Sequence, residues 1–329
     1  MRVIALEEHI SLPQFDSRIS NKAREARGWP SVDSGASPMK RVQHQLEEAG
    51  EERIKDMDDN GITLQVLSVT APGGDILEPA DAVPYAKEYN DEIATLVTAN
   101  PDRFKAFAVL PMTAPQAAAE ELERAVKDLR FCGTMINGTT KDKFLDDEVY
   151  APVLSKAEEL DVPIYLHPNL PIKAVNEVHY NNLPGSLGFT LSIAGWGWHS
   201  ETAVHILRMV LAGTFDKHPA LKMIIGHMGE MLPVMMTRID NIFKDSGLKR
   251  AVSEVLKSQV YITTSGLFTQ PPLQLAMDTF GVDRILFSVD YPYSPNSAGK
   301  KFLGEMKVSN EYKEKIAHSN ADKLLKLSA

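Results

Sequence analysis

Val3-Ile4-Ala5-Leu6-Glu7-Glu8-His9 is an apolar run, rich in branched residues, that stops abruptly at two acids and a histidine. Runs of this kind form buried parallel strands. Side chains alternate along a strand, so Glu7 and His9 point one way and Glu8 the other. With Leu6 directed at a layer of helices, Ala5, Glu7 and His9 face the centre of the fold. A carboxylate and an imidazole two residues apart can grip one cation from one side, or merely cap the strand where it meets solvent. The choice rests on whether the remaining chain supplies the other half of a site.

Similar runs recur along the sequence at 64–69, 104–110, 132–137, 162–167, 221–227, 260–265 and 284–290. Between them lie helical patterns at 41–59, about 80–99, 114–129, 147–160, 201–215, after 227, at 271–279 and near 312–326. In the first of these helices Val42, Leu46, Ile54 and Met57 share a face and Gly61 is the stop. Eight strands alternating with helices, each connection long enough for a right-handed crossover, make a (β/α)8 TIM barrel the economical α/β solution. A doubly wound sheet expects a glycine-rich phosphate turn after its first strand. Here that position holds Glu-Glu-His. With no charge block, repeat or shift in composition, all 329 residues read as one domain. Two stretches lack a clear period, 10–40 with Pro13, Gly28, Pro30, Gly35 and Pro38, and 168–199 ending in Trp196-Gly197-Trp198. Both are expected to be long loops covering the barrel mouth.

A hydrophobic content of 43% suits a large globular core, and a formal charge of −9 argues against nucleic acid or an acidic membrane surface as partner. Cys132 is the single cysteine, so no disulfide forms within the chain, as befits a reducing compartment. The first residues enter a strand without a cleavable apolar segment, and no apolar run approaches the roughly eighteen residues of a membrane span. A cytoplasmic protein with a small-molecule partner is expected.

Reacting groups in this fold sit at the C-terminal strand ends. Those ends carry Glu7 and His9, then His167, His227 and Asp290. Strands one and eight are neighbours in a closed barrel and strand five lies opposite. Glu7, His9, His167 and Asp290 therefore converge as a nitrogen and oxygen donor set fit for zinc, manganese or iron rather than calcium. Glu230, three residues past His227 at the start of the next helix, can hold the distal imidazole nitrogen or simply favour the helix dipole. Arg238, further along that helix, is a solvated arginine or a clamp for a substrate carboxylate. His205 and His218 read as structural, His44 and His318 stand away from the strand ends, and His179 and His199 belong to the mouth cover.

The motifs Ala5-Leu6-Glu7-Glu8-His9, Tyr165-Leu166-His167-Pro168, Ile225-Gly226-His227-Met228-Gly229-Glu230 and Leu286-Phe287-Ser288-Val289-Asp290-Tyr291-Pro292 resemble the metal-dependent decarboxylase branch of the amidohydrolase superfamily. The likeness is strongest to γ-resorcylate (2,6-dihydroxybenzoate) and 2,3-dihydroxybenzoate decarboxylases and includes Asn100-Pro101-Asp102-Arg103-Phe104. It implies one divalent ion, zinc or manganese, on Glu7, His9, His167 and Asp290. It also implies a His227–Glu230 dyad, a substrate-binding Arg238 and a dimer or tetramer. The implied reaction is non-oxidative decarboxylation of an ortho-hydroxy aromatic acid, with Asp290 as proton donor and His227 acting on the phenol. The segments 20–40 and 169–199 depart from that pattern, which leaves the particular acid open. Two-metal hydrolases of similar sequence place a bridging lysine at the end of strand four. Here that end reads Met135-Ile136-Asn137-Gly138, and Lys141 and Lys143 come later. This favours one metal over the alternative, a hydrolase of lactones, esters or amides. A binding protein without catalysis is the remaining reading, and the full set of rim donors argues against it.

Overall fold

In the computed structural model, which describes residues 1–31 and 38–327, eight parallel strands alternate with helices. They are β1 (Ile4–Ile10), β2 (Leu64–Val69), β3 (Phe104–Ala106), β4 (Thr134–Asn137), β5 (Ile164–His167), β6 (Met223–Ile225), β7 (Val260–Thr263) and β8 (Ile285–Leu286). β1, β2 and β3 form one hydrogen-bonded run and β4 to β8 another, in sequence order. Backbone bonds tie both seams: Ala108 bridges to Thr134 between β3 and β4, and His9 N–H donates to Tyr291 O (2.7 Å) beyond β8. The architecture is the anticipated (β/α)8 barrel.

The β1–β8 seam uses a side chain in place of a ladder. The buried Glu8 carboxylate accepts from Val289 N–H (2.9 Å), Ser288 Oγ (3.1 Å) and Tyr291 N–H (3.3 Å). Its outer neighbour Arg53, also buried, donates to His9 O (2.8 Å) and to Gln65 (2.9 Å). Burial lifts the Glu8 carboxyl to about 8.

Period-two alternation holds in the barrel, with one exception that matters. Met135, Tyr165, Ile224 and Leu286 pack inside, against Ile4, Leu6, Leu64 and Val66. Ile136, Leu166, Ile225 and Phe287 face the helices. In β1, Ala5 pairs with Gln65 but Glu8 pairs with Leu67, so Leu6 and Glu7 together oppose Val66. This is a β-bulge, and an extra residue inverts the facing of all that follow. Leu6 therefore packs inside and Ala5 outside, the reverse of the sequence expectation, while Glu7 and His9 still reach the interior.

The helical layer follows its sequence signals closely where they are strong. Pro115–Lys127 begins with proline, ends with Arg124 and Lys127 at the negative end of its dipole, and buries Ala118, Leu122 and Ala125 on one face. Four departures have local causes. The pattern over 41–59 is two helices, Gln43–Glu47 and Glu51–Asn60, because the Glu48 carboxylate accepts from the backbone of Gly50 (2.8 Å) and Arg53 (2.7 Å) and interrupts the ladder. Asn296–Glu305, unforeseen because Gly299 and Gly304 weaken its pattern, packs close to the sheet: a Cβ on Gly299 would lie 2.9 Å from Val289. The pattern near 312–326 starts at Asn310 and contains a π-turn, Lys315–Ser319, whose Ile316 carbonyl accepts from Phe287 N–H (2.9 Å). Lastly, the two aperiodic stretches are not structureless. The first holds Pro13–Asp16 and Asn21–Arg27, and the second holds Lys173–His179, Leu187–Thr190 and the π-turn Leu191–Gly195. These pieces are too short to show a period. Residues 32–37 of the first stretch, including Gly35, lie outside the described residues. Among the described residues no helix is long and apolar enough to cross a membrane.

Candidate active site

At the C-terminal rim the interior positions turn from apolar to polar. Glu7 and His9 come from β1, His167 from β5 and Asp290 from the segment after β8. The potential ligand atoms of Glu7, His9 and His167 lie within 4.8 Å of one another. Asp290 Oδ1 stands 3.4 Å from His9 Nε2, and Asp290 Oδ2 stands 3.8 Å from His227 Nε2. Three of the four anticipated ligands thus form one cluster, and Asp290 stands at its edge beside His9.

The hydrogen bonding around them calls for a cation. His167 Nδ1 donates to Pro168 O (2.7 Å), a carbonyl that can only accept. Burial holds the His167 imidazole well below its ordinary range, so the ring is neutral and its Nε2 carries a lone pair. That lone pair faces Glu7 Oε1 across 3.3 Å. Two acceptors in contact repel unless positive charge lies between them. Glu7 Oε1 and His9 Nε2 are both buried without a hydrogen-bond partner, at a place where such atoms are costly. A divalent ion fits this donor set, and an apolar filling does not.

Glu7 is oriented by hydroxyl groups that the sequence reading passed over. Its Oε2 accepts from Tyr165 Oη and Ser265 Oγ, with Thr263 Oγ1 at 3.5 Å. Tyr165 shares the inward face of β5 with His167, and Thr263 shares that of β7 with Ser265, so alternation itself was the available signal. Gly226 leaves room for this cluster: a Cβ there would lie 3.3 Å from Glu7 Oε2, Glu230 Oε1 and Tyr165 Oη alike. Burial raises the Glu7 carboxyl, partly opposed by His227 and His9. His9 is oriented through Nδ1 by Ser68 Oγ (3.2 Å).

His227 reaches the site by another backbone device. Ile224 faces inward, so alternation alone sends Gly226 in and His227 out. Instead His227, Met228, Gly229, Glu230 and Met231 all have left-handed φ, from 51° to 83°. Each non-glycine residue there costs roughly 1–2 kcal/mol, a strain typical of positions fixed for function. The next helix begins only at Leu232, with Met231 as its N-cap, so Glu230 lies just before it rather than in its first turn. Glu230 is 1% exposed and accepts from two imidazoles, His227 Nδ1 on Oε1 (2.8 Å) and His199 Nδ1 on Oε2 (2.6 Å). Burial disfavours a charged His227, but Glu230, Glu7 and Asp290 outweigh it and hold the ring well above its ordinary range. Burial likewise lifts Asp290, yet the imidazoles of His227 and His9 beside it prevail and keep it below the carboxylate range. Asp290 also has a left-handed φ, 70°.

Above these groups lies a cavity of about 80 Å³ with walls of Trp29, Ala71, Ile193, Ala194 and Trp198, a polar edge of Thr70 and Tyr293, and a floor of His167, His227 and Asp290. Trp29 and Trp198, one from each mouth stretch, meet at 6.2 Å between ring centroids.

Residues 26–327 match the family described as amidohydrolase. The chain belongs to the amidohydrolase family. This amidohydrolase is 37% identical to the decarboxylase orsB of Emericella nidulans, over 99% of this chain and 97% of that one. It is 36% identical to the γ-resorcylate decarboxylase of a Rhizobium species, over 98% of each. A dihydroxybenzoic acid decarboxylase from Polaromonas sp. JS666, solved with bound manganese and the inhibitor 2-nitroresorcinol, superposes with a TM-score of 0.87 at 34% identity, over 99% of this chain and 97% of that one.

The remaining sequence candidates divide clearly. Arg238 does not line the cavity. It is exposed on Leu232–Phe243, a helix turn away from Val234 and Ile242 on the outer face, while Leu232, Pro233 and Met236 form the buried one. His179 is exposed beside Tyr180, and Trp196 is 51% exposed. His205 accepts from Leu145 N–H (2.8 Å), and His44, His218 and His318 pair with Glu52, Glu158 and Asp322. The end of β4 carries Asn137, bound to Asp75 (3.0 Å), while Lys141 and Lys143 pair with Glu78 and Asp147.

Proposed function

We propose that this amidohydrolase is a metal-dependent carboxy-lyase that releases carbon dioxide, without oxidation, from an ortho-hydroxy aromatic acid of the dihydroxybenzoate class. The observation carrying the reading is the pair of facing acceptors, Glu7 Oε1 and His167 Nε2, completed by the unpartnered His9 Nε2. The identity with the γ-resorcylate decarboxylase supports the substrate class. Glu7, His9, His167 and Asp290 hold one divalent ion, and the relative solved with manganese supports that metal ahead of zinc. Asn137 at the end of β4 supports a single ion and speaks against the hydrolase alternative.

When bound, the ion supplies Lewis-acid stabilisation of negative charge on the ortho oxygen of the substrate. The protein's own part is to place the ring and move one proton. Trp29, Trp198 and Ile193 confine the aromatic ring and exclude water. His227, kept charged by Glu230, is the resting proton store, and Asp290 relays that proton to the ring carbon bearing the carboxylate. The carbon–carbon bond then breaks, its electron pair restores the aromatic ring, and carbon dioxide leaves. Asp290 is thus a relay, since it is ionised at rest.

The exposed apolar residues Val234, Met235 and Ile242, with Leu187 and Trp196, support self-association as a dimer or tetramer. The test of function is carbon dioxide release from 2,6- and 2,3-dihydroxybenzoate by manganese-loaded protein, with metal content measured. One ion per chain and release that is lost in His167→Ala are expected. Metal-loaded protein inert to a panel of hydroxyaryl acids refutes the proposal.

A further inference from the structure

We infer that His199 is a positioning residue that couples the roof of the cavity to the catalytic imidazole through Glu230. The inference rests on the decarboxylase reading above. Glu230 has two oxygens and each receives one imidazole N–H, from His227 and from His199. A carboxylate held at one oxygen only can swing about its last bond, and the second donor removes that freedom. The two rings stand 4.7 Å apart at 70°. The other nitrogen of His199 faces Ala194 O at 3.2 Å. Ala194 and Ile193 line the cavity, as does Trp198, the neighbour of His199 in the chain.

The roof is built to transmit rather than absorb displacement. Ala194 lies in the π-turn Leu191–Gly195, and the helix Gly197–Leu211 follows at once. A Cβ on Gly197 would lie 2.3 Å from Ser192 O, and one on Gly195 would lie 2.8 Å from Thr190 O, so the turn is wound with no slack. At the far end Glu230 sits in the left-handed turn that aims His227 at Asp290. A ring pressed against Ile193, Ala194 and Trp198 therefore bears on His199, and through it on the orientation of His227.

Two substitutions separate the contacts. In His199→Asn the amide nitrogen falls near the former Nδ1 and keeps the bond to Glu230. In His199→Gln it falls near the former Nε2 and keeps the tie to Ala194 instead. With manganese-loaded protein and 2,6-dihydroxybenzoate, His199→Gln is expected to lose about 10- to 100-fold in kcat with little change in KM. His199→Asn is expected to keep kcat within about threefold and raise KM, because only the roof is released. A second readout does not use turnover. In metal-free protein the low-field proton of the His227–Glu230 bond, seen by NMR, should persist in His199→Asn and broaden or shift in His199→Gln. Equal kcat in the two variants, or an unchanged low-field proton in His199→Gln, overturns the inference. If the wild type releases no carbon dioxide, the decarboxylase reading fails, while the NMR comparison still decides whether His199 fixes Glu230.

Discussion

Replacing Tyr165 with phenylalanine removes one oxygen from the barrel interior and leaves the ring in place. That oxygen donates to Glu7 Oε2 and also contacts Thr263 Oγ1 at 3.0 Å. A hydrogen bond to a charged group contributes about 1.5–3 kcal/mol. At 1.36 kcal/mol per tenfold, this corresponds to a loss of about 10- to 150-fold, if all of it falls on the ion-bound form. Ser265 still donates to the same oxygen, which places the expected loss at the lower end, about 10- to 30-fold in metal affinity. The sign follows from competition. Burial raises the Glu7 carboxyl, so a proton competes with the cation, and removing a donor that favours the carboxylate helps the proton. The deficit should therefore widen as pH falls. Calorimetric titration of stripped protein with manganese measures it directly, and kcat at saturating manganese should return to within a few-fold of wild type. Thr263→Val, which loses the 3.5 Å contact to Glu7 and the bonds to Tyr165 Oη (3.0 Å) and Ser265 Oγ (2.8 Å) but leaves both closer donors to Glu7 in place, should have a smaller effect. Tyr165→Phe protein that melts normally yet binds manganese within about twofold of wild type would refute the role given to the hydroxyl collar.

Chelation should lower the melting temperature and abolish carbon dioxide release; restoring manganese to 100 times its Kd should recover about 2.7 kcal/mol of stability, and a melting curve indifferent to metal would contradict the site. Glu8→Ala should cost at least about 2 kcal/mol in urea unfolding, because it strands the buried N–H groups of Val289 and Tyr291, and it should weaken metal binding by loosening the β1–β8 seam. Asp75, buried and raised from 3.8 to about 7 by desolvation, binds its proton more tightly when folded, so this group lowers stability as pH rises from about 4 to 7. Asp75→Asn should accordingly stabilise the protein by roughly 2–4 kcal/mol at pH 8 and by little at pH 4, as read by unfolding at the two pH values; a gain equal at both would refute the assignment.

The barrel was legible because its strands obey a period of two and end in residues that a buried strand otherwise avoids. Glu7, His9, His167 and Asp290 stand out on that ground alone, and β2 was found residue for residue. The donors to Glu7 were equally legible in principle, since Tyr165, Thr263 and Ser265 share the parity of their strand ends. The cavity roof was not legible. Trp29 and Trp198 belong to segments far apart in sequence, one just past the short helix Asn21–Arg27 and the other at the very start of Gly197–Leu211, where no period says what they cover. Arg238 lies outside the cavity of its own chain, on the exposed face of Leu232–Phe243 beside Val234 and Ile242, where helical phase and not residue type sets its direction.

Two departures from regular alternation make the site. In a regular β1 with Ile4 and Leu6 inside, Glu8 would follow them in, and Glu7 and His9 would face the helices. The bulge at Leu6 and Glu7 exchanges those fates, giving the interior Glu7 and His9 and leaving Glu8 to bind the seam. In a regular continuation of β6, His227 would leave the interior after Gly226, and five left-handed residues bring it back against Asp290. Both are backbone events that composition and periodicity do not encode, and both convert an outward position into an inward one. His167 enters the otherwise apolar barrel interior by regular alternation behind Tyr165, and the two departures bring Glu7, His9 and His227 to meet it. The strain at His227 to Met231 is thus tied to the site: relaxing that turn would restore regular backbone and take His227, the proton store of the proposed reaction, out of reach of Asp290.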